Sequence, residues 1–152
     1  MGDREQLLGL IHAFPNINSR NATKTSEATD VYNCIAWAIG ETHRRWQADE
    51  PESFWPDNVR QDDSIEALVE ADGTLGFAVC NNGLWEEGHH KLAISSLDGK
   101  VYEHAAKLIA PDTWSSKLGD HIDISHSLES IENGAYGIVV GFMKRSTIDA
   151  SI

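Results

Sequence analysis

The sequence predicts an α+β domain in which N-terminal helices pack on one face of an antiparallel sheet. The first reason is a change of period. Apolar residues recur every three to four positions up to about residue 76, then alternate from Phe77 to Met143. The second reason is size. With 152 residues, 41% of them apolar, the chain can build one core, so residues 1–152 are read as a single domain.

The elements follow in order. Residues 4–12 read as a short amphipathic helix capped by Asp3 and stopped by Pro15. Residues 15–31, rich in Asn, Ser and Thr, read as a surface loop. The next helix runs from about Asn33 to Arg45, with Ile35, Ala36, Trp37, Ala38 and Ile39 as its apolar part and Gly40 as an interruption. Residues 46–59 hold Trp46, Trp55 and two proline turns, and are expected to be an ordered loop pinned by rings. A capping box, Asp63-x-x-Glu66, opens a third helix. Its buried stripe is Ile65, Leu68, Val69 and Leu75, and Gly76 is its C-cap.

Strands are expected at 77–80, 91–96, 101–107 and 113–118, with Asp98-Gly99 as a hairpin turn. Residues 127–131 read as a helical turn. Residues 136–143, the most apolar alternating stretch, are expected to lie at the centre of the sheet.

Charge narrows the partners. Twelve basic and 24 acidic residues give a net −12, which repels phosphate backbones and anionic lipid. Neither nucleic acid nor membrane is therefore an expected partner. The acidic residues are scattered, with local pairs at Asp49-Glu50, Asp62-Asp63 and Glu86-Glu87. Solvated faces explain them, and so does a surface that mates with a basic protein.

No apolar run is long enough to cross a bilayer. The start, Met1-Gly2-Asp3-Arg4-Glu5, lacks the features of a signal peptide, and Gln6 breaks the myristoylation pattern. A cytoplasmic location is expected, with Cys34 and Cys80 reduced.

The chemistry centres on Cys34. Asn33 is a good helix cap and an apolar helical run follows, so the thiol falls in the first helical turn. Free N–H groups and the helix dipole there favour a thiolate. Packing as a small hydrophobe is the other role open to such a cysteine. Downstream, His104 lies on a strand where simple alternation puts Tyr102, His104 and Ala106 on one face. A third group to orient the imidazole would follow Trp114. Asp123 is the main candidate, with Asp120 and His126 beside it.

Ser115 and Ser116 fall in a strand rather than a strained turn, so Lys117 is read as structural or as a substrate-anion contact rather than half of a Ser/Lys dyad. Trp55 is the aromatic residue expected to border the Cys34 helix. His89, His90, His121 and His126 lack zinc-site spacing, so no metal and no cofactor are expected.

Two resemblances attach to these residues. A Cys opening a helix, followed by an antiparallel sheet with His on its strands, resembles the papain-like superfamily, whose smallest members are NlpC-type bacterial hydrolases. That likeness implies a papain-like core. It also implies a cysteine hydrolase or transferase acting on an amide or acyl bond of a protein or peptide, with Asn33 and the Cys34 N–H near the oxyanion. It leaves two choices of base: His104, or His90 with His104 as its partner. The segments Tyr32 to Ala38, Trp55-Pro56, His104-Ala105-Ala106 and Trp114 to Gly119 also look like a bacterial domain-of-unknown-function family over about residues 30–145. That likeness implies no activity. The non-catalytic alternative is an acidic, immunity-like module for a basic partner.

Overall fold

The computed structural model describes residues 3–18 and 20–147. The elements are α1 (Asp3–Leu8), β1 (Ala22–Ser26), α2 (Cys34–Ala38), α3 (Ile65–Gly73), β2 (Ala78–Cys80), β3 (His89–Ser96), β4 (Tyr102–Ala110), β5 (Thr113–Lys117), β6 (Asp123–His126), a 3₁₀ turn (Leu128–Ile131) and β7 (Ile138–Ser146). The seven strands form one open sheet in the order β1-β6-β5-β4-β3-β7-β2, with every pairing antiparallel. The fold is thus α+β with few, short helices. A papain-like core is not shown: the helix that Cys34 opens, α2, has five residues.

The helices divide between the two faces of the sheet. On the first face, Ile35, Ala36 and Ala38 of α2 and Ala67, Leu68 and Ala71 of α3 bury Leu92, Ile94, Ala105 and Met143. Each large aliphatic side chain removed from water there contributes about 1.5–3 kcal/mol. Trp46, Phe54 and Trp55 extend this core beneath the loop between α2 and α3. On the second face, Leu7, Phe14, Ile17, Ile124 and Ile131 make one cluster, and Ala93, Ala106, Leu108 and Trp114 make another. The expectation of helices on one face is corrected, since α1 and the 3₁₀ turn cover the second.

Other expectations also move. α1 ends at Leu8, and α2 stops at Ala38, ahead of Gly40 in a left-handed conformation (φ 87°). Ser64 rather than Asp63 caps α3: its hydroxyl accepts the Ala67 N–H at 3.1 Å. Residues 22–26, read as loop, form edge strand β1. β7 lies second from the opposite edge and is not central; β4 holds the middle.

A register shift in the β3–β4 pairing matters most for function. Ser95 pairs with His104, but Ser96 pairs with Tyr102, leaving Glu103 as the extra residue. An extra residue reverses the side-chain alternation beyond it. Tyr102 and Ala105 therefore belong to the first face, whereas His104 and Ala106 belong to the second.

Candidate functional site

Cys34 opens α2 as the sequence suggests. The Asn33 side chain accepts the Ala36 N–H at 3.1 Å and the Trp46 N–H at 3.1 Å, and its amide donates to the Trp46 carbonyl at 2.8 Å. Asn33 is thus consumed in joining the helix start to the Trp46 loop, and is not an oxyanion donor. Cys34 is half-buried, packed against the core of the first face. Burial pushes its thiol up to about 11, against smaller opposing effects from the N–H groups of Ala105, Ile35 and Cys34 and from Arg45. At neutral pH the thiol form is therefore favoured over the thiolate. A five-residue helix end does not overcome that desolvation.

His104 does not meet Cys34. The two lie on opposite faces of the sheet, and Ala105 occupies the place on β4 that faces the sulfur. Adjacent strand residues point to opposite faces, so with Ala105 toward the sulfur His104 points away, and the Glu103 bulge puts Tyr102 on the face that His104 leaves. His104 is fully buried instead, stacked on Tyr136 with ring centroids 4.1 Å apart and planes 2° from parallel. Its Nε2 lies 2.8 Å from the Ser116 hydroxyl, which lies 2.7 Å from His126 Nε2; His126 Nδ1 is 2.7 Å from the Ser127 carbonyl.

One proton order satisfies this chain. A carbonyl only accepts, so His126 Nδ1 carries hydrogen and its Nε2 accepts the Ser116 O–H. Ser116 must then accept from His104 Nε2–H. His104 Nδ1 is left as a bare acceptor, buried and without a partner among the described residues. Burial pulls the His104 pKa down to about 3, with His126 adding to the effect, and lowers that of His126 too. Ser116 has no exposed surface, so it is no substrate nucleophile.

The remaining candidates lie on the first face but do not converge. Asp123 is buried and accepts from Thr25 Oγ1 at 2.6 Å and from the Tyr32 hydroxyl at 3.3 Å. It orients no imidazole. Lys117, also fully buried, donates to the carbonyls of Thr29 and Gly119 at 2.8 Å each and to that of His121. Its ammonium organises the turn after β5 and is closed to substrate. Trp55 is buried, donates its indole N–H to the Arg60 carbonyl and stacks on Tyr102. His90 touches the other end of α2, at the Ala38 carbonyl. Burial lowers its pKa to about 4, helped by Arg145 and Lys107. Ala38 lies one helical turn along α2 from Cys34. Among the described residues, no three His, Cys, Asp or Glu side chains gather as a metal would require.

Charge counting by segment finds what motif reading missed. Residues 49–72 hold nine acidic residues and one basic residue, Arg60, a net −8 of the chain's −12. They form the loop before α3 and α3 itself, and all but Asp72 keep exposed surface. Arg45 pairs with Glu50 at 2.9 Å and Arg60 with Asp62 at 3.5 Å. Asp49, Glu52, Asp57, Asp63, Glu66 and Glu70 meet no basic side chain among the described residues. Asp98 and Asp63 lie close enough to raise the Glu103 pKa beyond what burial does, so this negative flank continues onto the β3–β4 turn.

No helix among the described residues is long and apolar enough to cross a membrane. Residues 23–144 match the model of a domain of unknown function, DUF7689. Nothing among curated proteins or solved structures matches the chain.

Proposed function

The chain belongs to the DUF7689 family, and we propose that it is a non-catalytic binding module whose acidic flank engages a basic protein or peptide. The supporting observation is the concentration of unpaired carboxylates over residues 49–72. Like charges gathered on one side repel one another, and a cationic partner relieves that repulsion while steering itself in. The expected partner is rich in Lys and Arg, and binding weakens as salt screens the charges.

Matched charge reversal tests this reading. One variant carries Glu52→Lys, Asp57→Lys, Glu66→Lys and Glu70→Lys. A second, of equal net charge, carries Glu27→Lys, Asp30→Lys, Glu87→Lys and Glu129→Lys. Affinity for a lysine- and arginine-rich peptide is measured at low salt by titration calorimetry. The first variant should lose about tenfold or more, and the second much less. Equal losses would mean that only net charge matters and would remove the docking flank.

A second reading is a Cys34 hydrolase or transferase for amide or acyl bonds. One observation favours it: the thiol opens a helix capped by Asn33. It would need a base other than His104, which faces away from the thiol. Iodoacetamide labelling followed by peptide mass spectrometry decides between the two. The binding module predicts that Cys34 labels more slowly than an unstructured thiol at pH 6.5; fast labelling there would restore the enzyme.

A further inference from the structure

The connection from β2 to β3 crosses the second face of the sheet, where Gly83 lies against Phe142 and Trp114. An added Cβ at Gly83 would come within 2.6 Å of the Phe142 ring, so the chain is seated there at close range. Beside it opens a cleft of about 470 Å3. Two large apolar side chains are exposed along it: Leu84 and Trp85. Its cationic side holds Lys91 and Lys144, which pair directly across β3 and β7.

Like charges directly opposite one another in a sheet are unfavourable. One carboxylate answers them both. Glu86 receives Lys144 at 2.9 Å, while Lys91 is 3.9 Å away and donates to the Asn82 side-chain carbonyl at 3.0 Å. His89 stands 3.6 Å from the same carboxylate. The Lys91 side chain is only 5% exposed, so its charge is poorly answered by water. In a chain of net −12, this is a place where two ammonium groups outnumber their counter-ion beside an uncovered indole.

We propose that this cleft binds an amphipathic organic anion, a carboxylate joined to an apolar or aromatic body. The carboxylate would complete the charge balance of Lys91 and Lys144, and the body would cover Trp85 and Leu84. The site is independent of the acidic flank, which lies on the other side of the sheet. A free aromatic acid and the carboxyl end of a peptide with an apolar last residue share this chemistry.

The experiment uses the full chain labelled with ¹⁵N, with the Trp85 indole signal assigned through Trp85→Phe. The probes are indole-3-propionate and N-acetyl-glycyl-leucine, each compared with its primary amide. At least one acid should shift the Trp85 indole, and its amide should not. A response to the indole acid alone identifies a small-molecule site, and a response to the peptide acid alone identifies a peptide-end site. Lys144→Gln, at a half-buried position less critical to folding than Lys91, should weaken the acid by at least about threefold, and Glu86→Gln should tighten it by a similar factor. Amides binding as well as acids, no shift with either acid at millimolar concentration, or weaker binding in Glu86→Gln would each overturn the proposal.

Discussion

Asp72 shows what burial does to one side chain. It has almost no exposed surface, and neither carboxylate oxygen has a partner among the described residues. Burial raises its pKa to about 8, against a smaller lowering by Arg145. Between an unfolded value near 4 and this folded value, the native state holds one more proton than the unfolded chain. Stability therefore falls as pH rises from about 4 to 8, by at most about 1.4 kcal/mol per unit. Asp72→Asn should raise the melting temperature at pH 8 and change it little at pH 4, which thermal denaturation at the two pH values checks. A gain that does not grow with pH would show that the carboxyl finds compensation in solution.

His104 works in the opposite direction. Its folded pKa is about 3, below the ordinary value of 6.5, so the unfolded chain binds the extra proton between these limits. Its contribution is complete above pH 6.5 and is lost as the pH falls toward 3. In His104→Gln, the slope of stability against pH over that window should flatten, as measured by urea denaturation. An unchanged slope would assign the acid sensitivity to other groups.

At the scale of elements, α2 owes its place to its neighbours rather than to its length. Five residues are far too few for a helix to stand alone. Asn33 ties it to Trp46 with two hydrogen bonds, one accepted and one donated, and accepts a third from Ala36 of the helix. Asn33→Ala should cost about 3 kcal/mol, because it leaves buried backbone groups unpaired. Asn33→Asp keeps the acceptor and should fall between the two, measured by denaturant unfolding. If Asn33→Ala costs less than about 1 kcal/mol, the loop finds water instead.

The same scale explains what could be read in advance. The α3 start, the β3–β4 hairpin and the site of β7 were legible because capping, turn chemistry and apolar alternation are written locally. β1 was not, because Ala22-Thr-Lys-Thr-Ser has one buried residue and pairs only with a strand a hundred positions later. The helix start at Cys34 was legible and the face of His104 was not. Alternation along β4 looks regular in the sequence, while the Glu103 bulge is decided by the partner strand. That bulge breaks the shared face that alternation gives Tyr102 and His104.

The whole molecule is electrically divided. A flank of eight exposed or half-exposed carboxylates against one arginine, over residues 49–70, covers part of the first face, and the Lys91–Lys144 pair sits on the second. Such an arrangement gives the domain an orientation in the field of a charged partner before any contact forms. The sheet supplies the rigidity that keeps these two regions apart. Its strands unite the ends of the chain: β1 joins β6 at one edge, and β7 slots between β3 and β2 near the other.

The position of β7 has a consequence for synthesis. Strands β2 and β3 are made early yet never touch as neighbours; each waits for residues 138–146 to fill the gap between them. A growing chain emerging from the ribosome therefore carries two uncovered strand edges until residues 138–146 have appeared. Whatever shields those edges in the interval governs how much of the newly made protein reaches its native form.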